Sequence, residues 1–305
     1  MTIEIIHLVY GVPPRELVAV RADAQQVSPL MPGNLRLADL AADSAASAII
    51  YAPPGTLERR YIFARLLSRL AVGAPLTALA PKDKGGSRIA AELEAFGCDV
   101  TDASRAHHRI VTTARPATLC GIEEALVAGG LQPHTAHSLW TQPGVFSWDR
   151  IDAGSALLLK HVPQLSGRGA DLGCGIGVLS RAVLSSPTVS ELTLIDIDRR
   201  ALFAAEKNIH DARAKFIWAD IRSHALPAHD LDFIIMNPPF HDTGIEDKTL
   251  GQAFITRAAT LLKNSGTLWL TANKHLPYEA LLAQSFGRVM LVDENDGFKI
   301  YMAEK

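Results

Sequence analysis

The sequence predicts an α/β protein built from two tandem domains, each a mostly parallel sheet wrapped by helices, related by an internal duplication. Three observations predict it. Apolar strand runs alternate with helical stretches through residues 168–303, the pattern of a doubly wound sheet. A glycine-rich turn joins the first of those strands to a helix, where such sheets hold their ligands. The order strand, Pro-Pro turn, helix, strand found after residue 231 recurs in weaker form after residue 46.

In the second half the spacing predicts a strand over 168–172, a helix over 177–186, a strand over 191–196 and a helix over 199–209. Strands over 214–218 and 231–236 follow, then a helix over 249–263, a strand over 266–272 and a helix over 277–285. Strands near 287–293 and 297–303 flank Glu294-Asn295-Asp296-Gly297 and so read as an antiparallel hairpin at the end of the sheet.

Residues 46–55 read Ala-Ser-Ala-Ile-Ile-Tyr-Ala-Pro-Pro-Gly, and residues 231–240 read Leu-Asp-Phe-Ile-Ile-Met-Asn-Pro-Pro-Phe. Each leads through a helix to a strand ending in Thr-Ala or Leu-Ala, a nearby lysine (Lys82, Lys274), and a Phe-Gly pair at 96–97 or 286–287. Both copies close on a basic residue and an apolar strand, Arg109-Ile110-Val111 and Lys299-Ile300-Tyr301. The expected domains are 1–135 and 136–305, with a linker around 128–142 where Gly129-Gly130 and Gln132-Pro133 break the pattern.

With 48% hydrophobic and 20% charged residues the composition is that of a globular protein with a full core. No apolar run reaches the roughly 18 residues that span a bilayer, and the start Met1-Thr2-Ile3-Glu4 lacks the features of a signal peptide, so a cytoplasmic location is expected. Cys98, Cys120 and Cys174 have no paired spacing and suggest neither disulfide nor zinc; no metal is expected. A net charge of −2 excludes nucleic-acid binding by bulk attraction and leaves only a local patch. Arg59, Arg60, Arg65 and Arg69, on one helix, are the candidate patch or else a solvated face.

Residues 169–180 carry the first site. A strand ends at Asp171, and Gly173, Gly175 and Gly177 alternate before a helix begins. Glycines let the backbone turn sharply and approach a ligand with no Cβ in the way, and the turn would point N–H groups outward. The spacing is G-x-G-x-G, not the G-x-G-x-x-G of dinucleotide oxidoreductases. About 25 residues on, Asp196 ends the next strand, where a carboxylate can accept two ribose hydroxyls. Asp220 follows the third strand, within reach of an adenine amino group. Asp198 makes a D-x-D pattern with Asp196, readable as a metal pair or, more simply, as a helix cap.

The second site is Asn237-Pro238-Pro239-Phe240, after the apolar strand Phe233-Ile234-Ile235-Met236. Consecutive prolines stop the strand and stiffen the turn beside the cofactor edge. The Asn237 side-chain oxygen and the Pro238 carbonyl can each accept one hydrogen of an exocyclic amine, favouring a pyramidal nitrogen whose lone pair is aimed at a sulfonium methyl. Phe240 would stack on a planar base; His241 is a polar loop residue with a lesser claim to a role.

This set of motifs resembles the class I methyltransferases that modify exocyclic or amide nitrogen, and within them the bacterial ribosomal RNA guanine-N2 methyltransferases. The resemblance spans most of 140–305, including Pro143-Gly144-Val145-Phe146-Ser147 with Asp149, Ile151-Asp152-Ala153-Gly154-Ser155, Ala272-Asn273-Lys274-His275-Leu276-Pro277-Tyr278 and Phe298-Lys299-Ile300-Tyr301. Trp148 and Arg150 stand where it puts a basic residue and a glycine.

The resemblance implies two Rossmann-like methyltransferase domains, the first without cofactor binding and serving folding or RNA docking. It implies S-adenosyl-L-methionine as cofactor, and closure of Gln142–Phe146 over it, so Phe146 joins Asp171, Gly173, Gly175, Gly177, Asp196, Asp220 and Asn237 as cofactor-binding. Asn237, Pro238 and Phe240 are the expected catalytic residues. The implied partner is ribosomal RNA, in the small subunit or an assembly intermediate, met by a monomer. Adenine N6 in DNA and a glutamine amide in a release factor are rival acceptors, because the same tetrapeptide suits them.

Overall fold

The computed structural model describes residues 6–222, 226, 228–239, 241, 242, 245, 246 and 248–305. The chain parts into two compact units: the first runs to Leu131 and takes in Gln142–Gly144, and the second comprises Gln132–Thr141 and Val145–Lys305.

The first unit contains β1 (Ile6–Tyr10), β2 (Gln25–Gln26), β3 (Ala45–Tyr51), α1 (Thr56–Leu67), β4 (Pro75–Pro81), α2 (Ile89–Glu94), β5 (Val100–Arg105), β6 (His108–Ala114) and α3 (Ile122–Gly129). Its six strands form one sheet in the order β2-β1-β3-β4-β6-β5. β2, β1, β3 and β4 are parallel neighbours, and β6 runs antiparallel to β4 and β5. Ala48 and Ile50 of β3 and Leu76, Ala78 and Ala80 of β4 pack against Phe63, Leu66 and Leu67 of α1.

The second unit starts with a small hairpin, β7 (Gln132–Pro133) and β8 (Trp140–Thr141). The stretch read as a linker is thus partly folded. The Asn208 side chain fixes the hairpin, accepting from Trp140 N at 2.7 Å and donating to Trp140 O at 2.9 Å. Then come α4 (Ala153–His161), β9 (Gly167–Leu172), α5 (Val178–Val183), β10 (Val189–Asp196), α6 (Arg199–Asn208), β11 (Ala214–Trp218), β12 (Leu231–Met236), β13 (His241–Asp242), β14 (Ile245–Glu246), α7 (Lys248–Leu261), β15 (Leu262–Asn273), α8 (Glu279–Ser285), β16 (Arg288–Asn295) and β17 (Phe298–Glu304).

The main sheet has seven strands in the order β11-β10-β9-β12-β15-β17-β16. The first five are parallel; β17 is antiparallel to both neighbours. This is the expected doubly wound sheet with a terminal hairpin. Asp296 (φ 51°) and Gly297 (φ 82°) form its two-residue loop, and both left-handed conformations match a type I′ turn. Both faces are covered. Ile234 and Met236 of β12 pack with Phe254, Ile255 and Leu282, and Phe233 and Ile235 pack with Leu158, Leu179 and Leu202. A Cβ on Gly169 would strike the Phe233 ring, which is why this interior strand position carries glycine.

Two elements end earlier than their spacing suggests. α5 stops at Val183 because Ser186 precedes Pro187, which disfavours helix there; Ser186 and Thr188 hydroxyls instead bond to Leu165 O at 2.8 and 2.9 Å. α7 stops at Leu261 because Leu262 already pairs with Leu231 in the ladder, and Ser265 (φ 69°) takes up the register shift.

The first sheet repeats the strand order and directions of the second from β1 and β9 outward, and among the described residues it has no counterpart of β11. In the second sheet, β10 and β11 lie to one side of β9, and β12 and β15 to the other. The order therefore reverses between β9 and β12, and the crevice at their carboxyl ends is where such sheets bind ligands. Among the described residues no helix is long and apolar enough to cross a membrane.

Candidate functional site

Leu172 of β9 stands level with Ile195 of β10 and Met236 of β12, so the glycine turn, Asp196 and Asn237 all leave the sheet at one edge. Gly173 N and Cys174 N both donate to Ile195 O, at 2.8 and 3.1 Å, which bends the chain over the end of β10. Gly173, Gly175 and Gly177 have φ of 73°, 54° and 86°, the left-handed region that glycine occupies without strain. A Cβ on Gly177 would come within 2.8 Å of Ile209 Cδ1, so this glycine serves helix packing. A Cβ on Gly175 would meet nothing within 4 Å, so the turn there faces open space. The Gly175 N–H does not point outward as the sequence suggested: it donates to Asp196 Oδ2 at 2.8 Å.

Asp196 also accepts the Asp198 N–H on Oδ1 at 2.8 Å. Each oxygen thus carries one backbone hydrogen and keeps a lone pair for a ligand hydroxyl. Burial pushes its carboxyl up to about 6; the backbone N–H bonds oppose this and the Asp198 charge adds to it. Asp171 is wholly buried. Its Oδ2 accepts the Ser180 hydroxyl at 2.6 Å, and among the described residues Oδ1 has no donor. Burial pushes Asp171 up to about 7, against the pull of the Ser180 hydrogen bond and with a further rise from Asp196.

Asp198 is the helix cap of the simpler reading: it accepts Arg200 N at 2.9 Å, starts α6, and pairs with the Arg200 guanidinium at 2.8 Å. Asp220 follows β11 as expected, but its carboxylate is forked onto Arg222, with Nη2 2.7 Å from Oδ2 and Nε 2.9 Å from Oδ1. Those hydrogen bonds hold it below the usual carboxylate range. Any further donor that reaches Asp220 must therefore share it with Arg222.

Asn237 leaves β12 with its Nδ2 donating to Asp152 Oδ2 at 2.7 Å and to Ser155 Oγ at 2.9 Å. Asp152 is at the same time the N-cap of α4, accepting Ser155 N at 2.8 Å. The Pro-Pro turn lies against the glycine turn: a Cβ on Gly173 would be 3.9 Å from Pro239 Cδ. Phe146 is 59% exposed on the loop before α4. Phe240 and the side chain of His241 lie outside the described residues.

Asp152 and Ser155 were given no role from the sequence alone, although an Asp two residues ahead of Gly-Ser at a helix start is a legible capping signal. A cleft of about 470 Å³ walled by Thr249, Gln252, Thr256, Pro277, Leu281 and Gln284 includes none of these site residues and no titratable group. The candidate site residues lie at the strand ends instead.

The four arginines read as a candidate basic patch or a solvated face lie on α1 and just beyond it. Arg59 is completely buried; its Nε and Nη2 fork onto Glu92 at 2.6 Å each, and its Nη1 donates to Pro53 O and Pro54 O at 3.0 and 2.8 Å. Arg60 lies over the Phe96 ring, Arg65 bonds to Tyr61 Oη, and Arg69 bonds to Leu37 O. Contacts inside the first unit engage all four guanidinium groups, Arg59 fully buried and the other three half-buried.

The strand order, the glycine turn and the acid-tipped strands define the fold of a class I methyltransferase. Residues 136–302, more than half of the chain, match the family described as the methyltransferase small domain, and the chain belongs to that family. It is 37% identical over 171 residues to a ribosomal RNA small subunit methyltransferase C of Shewanella baltica, covering 55% of this chain and 49% of that protein. The relative of the same name from Shewanella denitrificans is 38% identical over 164 residues, 53% of this chain and 47% of its own. The chain thus spans about half the length of the curated relatives it matches. A T. thermophilus 16S rRNA N2 methyltransferase, solved with AdoMet and guanosine, superposes with a TM-score of 0.80 over 98% of this chain and 88% of its own at 20% identity, which shows a shared fold.

Proposed function

We propose that this chain uses S-adenosyl-L-methionine to methylate the exocyclic N2 amine of a guanine in ribosomal RNA of the small subunit. The observation that carries the reading is the pairing of β9 with β12, which sets the glycine turn and Asn237 one strand apart at the switch point of the sheet. The names of the relatives supply the acceptor.

The residues present fit the cofactor. Gly175 leaves a cradle that a Cβ would fill, Asp196 keeps two lone pairs for a ribose, and the unpartnered Oδ1 of Asp171 can accept a further donor. When bound, S-adenosylmethionine supplies a sulfonium methyl that the amine lone pair takes up as the carbon–sulfur bond breaks, leaving a thioether and a proton for water. Asn237 Oδ1 and the Pro238 carbonyl accept the two amine hydrogens, and each contact strengthens as the nitrogen becomes positive, toward about 1.5–3 kcal/mol. Holding the amine in line contributes about 7–11 kcal/mol more. Phe146 and Phe240 are proposed to cover the cofactor and stack on the base.

The first unit is proposed to be a degenerate copy that aids folding or RNA docking. Gln26, at the end of β2, spans the turn after β1 by bonding to Gly11 O and Gly11 N at 2.8 and 3.2 Å, and Arg59 takes both carbonyls of the Pro53-Pro54 turn. Both features occupy places that the second unit leaves for ligand groups, which supports the reading of a degenerate copy. Action as a monomer, in the cytoplasm, on an assembled or assembling subunit completes the proposal. With a net charge of −2 the protein suits recognition of a folded particle by shape.

Two measurements test this. Calorimetry should show one S-adenosylmethionine site per chain, with affinity falling as pH drops through about 6, where Asp196 takes up a proton and loses acceptor capacity. Asp196→Asn should bind weakly at every pH; a wild-type affinity unchanged between pH 8 and 5 would refute the role of Asp196. In a methylation panel, small subunits should be labelled in preference to free ribosomal RNA, DNA or release factor, and equal labelling of subunits and free RNA would refute recognition by shape.

The same two carboxyls tie stability to pH. Asp171 and Asp196 titrate higher in the fold than in an unfolded chain, where Asp loses its proton near about 3.9. The folded state therefore holds more protons between about pH 4 and 7, and stability from this source is complete below pH 4 and lost as pH rises to 7. Denaturant midpoints of Asp171→Asn, without cofactor, should show a shallower decline across that window than wild type.

A further inference from the structure

We infer that Asp152 and Ser155 are positioning residues for the transfer, fixing the Asn237 amide so that its oxygen faces the reacting amine. The inference rests on the methyl-transfer reading above. A terminal amide can turn over about its last torsion, exchanging its acceptor for two donors, and the wrong face would present N–H groups to the amine hydrogens. The partners decide which face is presented. A carboxylate only accepts, so the group 2.7 Å from Asp152 Oδ2 must be the Asn237 NH2. Ser155 Oγ, at 2.9 Å, takes the second hydrogen. With both hydrogens used, Oδ1 is turned to the other side of the amide, where among the described residues no donor is bonded to it.

The frame that does this is itself tied to a helix start. The same Asp152 oxygen accepts Ser155 N at 2.8 Å as the N-cap of α4, so the first turn of that helix and the end of β12 are fastened to one atom. The arrangement is also polarised in a useful sense. A negative acceptor on the NH2 side raises electron density on Oδ1, which strengthens its bond to an amine that becomes cationic.

The test uses the full chain. Ser155→Ala removes one acceptor and leaves the helix cap, since Ser155 N still reaches Asp152. It should lower kcat about tenfold, the worth of one hydrogen bond, with KM for S-adenosylmethionine unchanged. Asp152→Asn retains an oxygen for both Asn237 and the cap and should lose less than Asp152→Ala. Adding Asp152→Ala to Asn237→Ala should slow the enzyme no further than Asn237→Ala alone. Full kcat in both alanine variants, or additive losses in the double variant, would overturn the inference.

Side-chain amide exchange of Asn237 by NMR reads the same geometry without turnover. Its two hydrogens should exchange slowly in wild type, and Ser155→Ala should speed one of them. Exchange unaffected by Ser155→Ala also overturns the inference. A wild-type protein that binds S-adenosylmethionine but labels no acceptor counts against the proposed function, while the exchange measurement still decides the placement.

Discussion

Asn237→Ala is expected to bind S-adenosylmethionine within about twofold of wild type and to transfer methyl groups at least about a hundredfold more slowly, the scale seen when one group that stabilises developing charge is removed. The expected split follows from the contacts. Asn237 gives its NH2 to Asp152 and Ser155, and only its oxygen remains for the acceptor amine. The proposed cofactor contacts are those of the glycine turn and Asp196, which the substitution leaves in place. Asn237→Asp should be as slow, because a second carboxylate would then face Asp152 at the 2.7 Å separation now held by a donor. Stopped turnover with calorimetry on the same preparations checks both halves; unchanged turnover in Asn237→Ala would remove the tetrapeptide from the mechanism.

Arg59→Leu should give the largest loss of stability in the first unit, about 3–5 kcal/mol, because it strands a buried carboxylate. Glu92 is 7% exposed and Arg59 fully buried, and the carbonyls of Pro53 and Pro54 lose their donor with it. Against the roughly 5–15 kcal/mol of a typical domain this is a major fraction. Pairing it with Glu92→Met should recover the part due to the stranded carboxylate, since an apolar pair replaces a buried ion pair without great cost, while the Pro53 and Pro54 carbonyls stay without their donor. Urea unfolding checks the ordering: the double variant between wild type and Arg59→Leu, with Arg59→Leu lowest. An Arg59→Leu midpoint equal to wild type would contradict the account of a sealed turn.

Much of the second unit was readable from local pattern. The bounds of β11 and β12 follow from apolar runs whose neighbours break them, and the Asp296-Gly297 turn is selected by residues that accept positive φ. What local pattern could not supply was the destination of long polar side chains. Arg59 looked like part of a surface patch because its partner Glu92 is 33 residues away. Asp152 and Ser155 lie 85 and 82 residues before Asn237, so only the fold reveals that they hold it. By contrast, the grip of Arg222 on Asp220 spans two residues and was legible in principle as an Asp-x-Arg pair after a strand. β1 and β2 were missed for another reason: β2 is two residues long and Ile6–Tyr10 carries no strict alternation.

The most direct test of the central claim is nucleoside analysis of 16S ribosomal RNA from cells that lack this protein, before and after incubation of their small subunits with the pure protein and labelled S-adenosylmethionine. The account predicts that label appears as N2-methylguanosine with the wild-type protein and is absent with Asn237→Ala. Label on adenine, on a protein, or on no acceptor would contradict it.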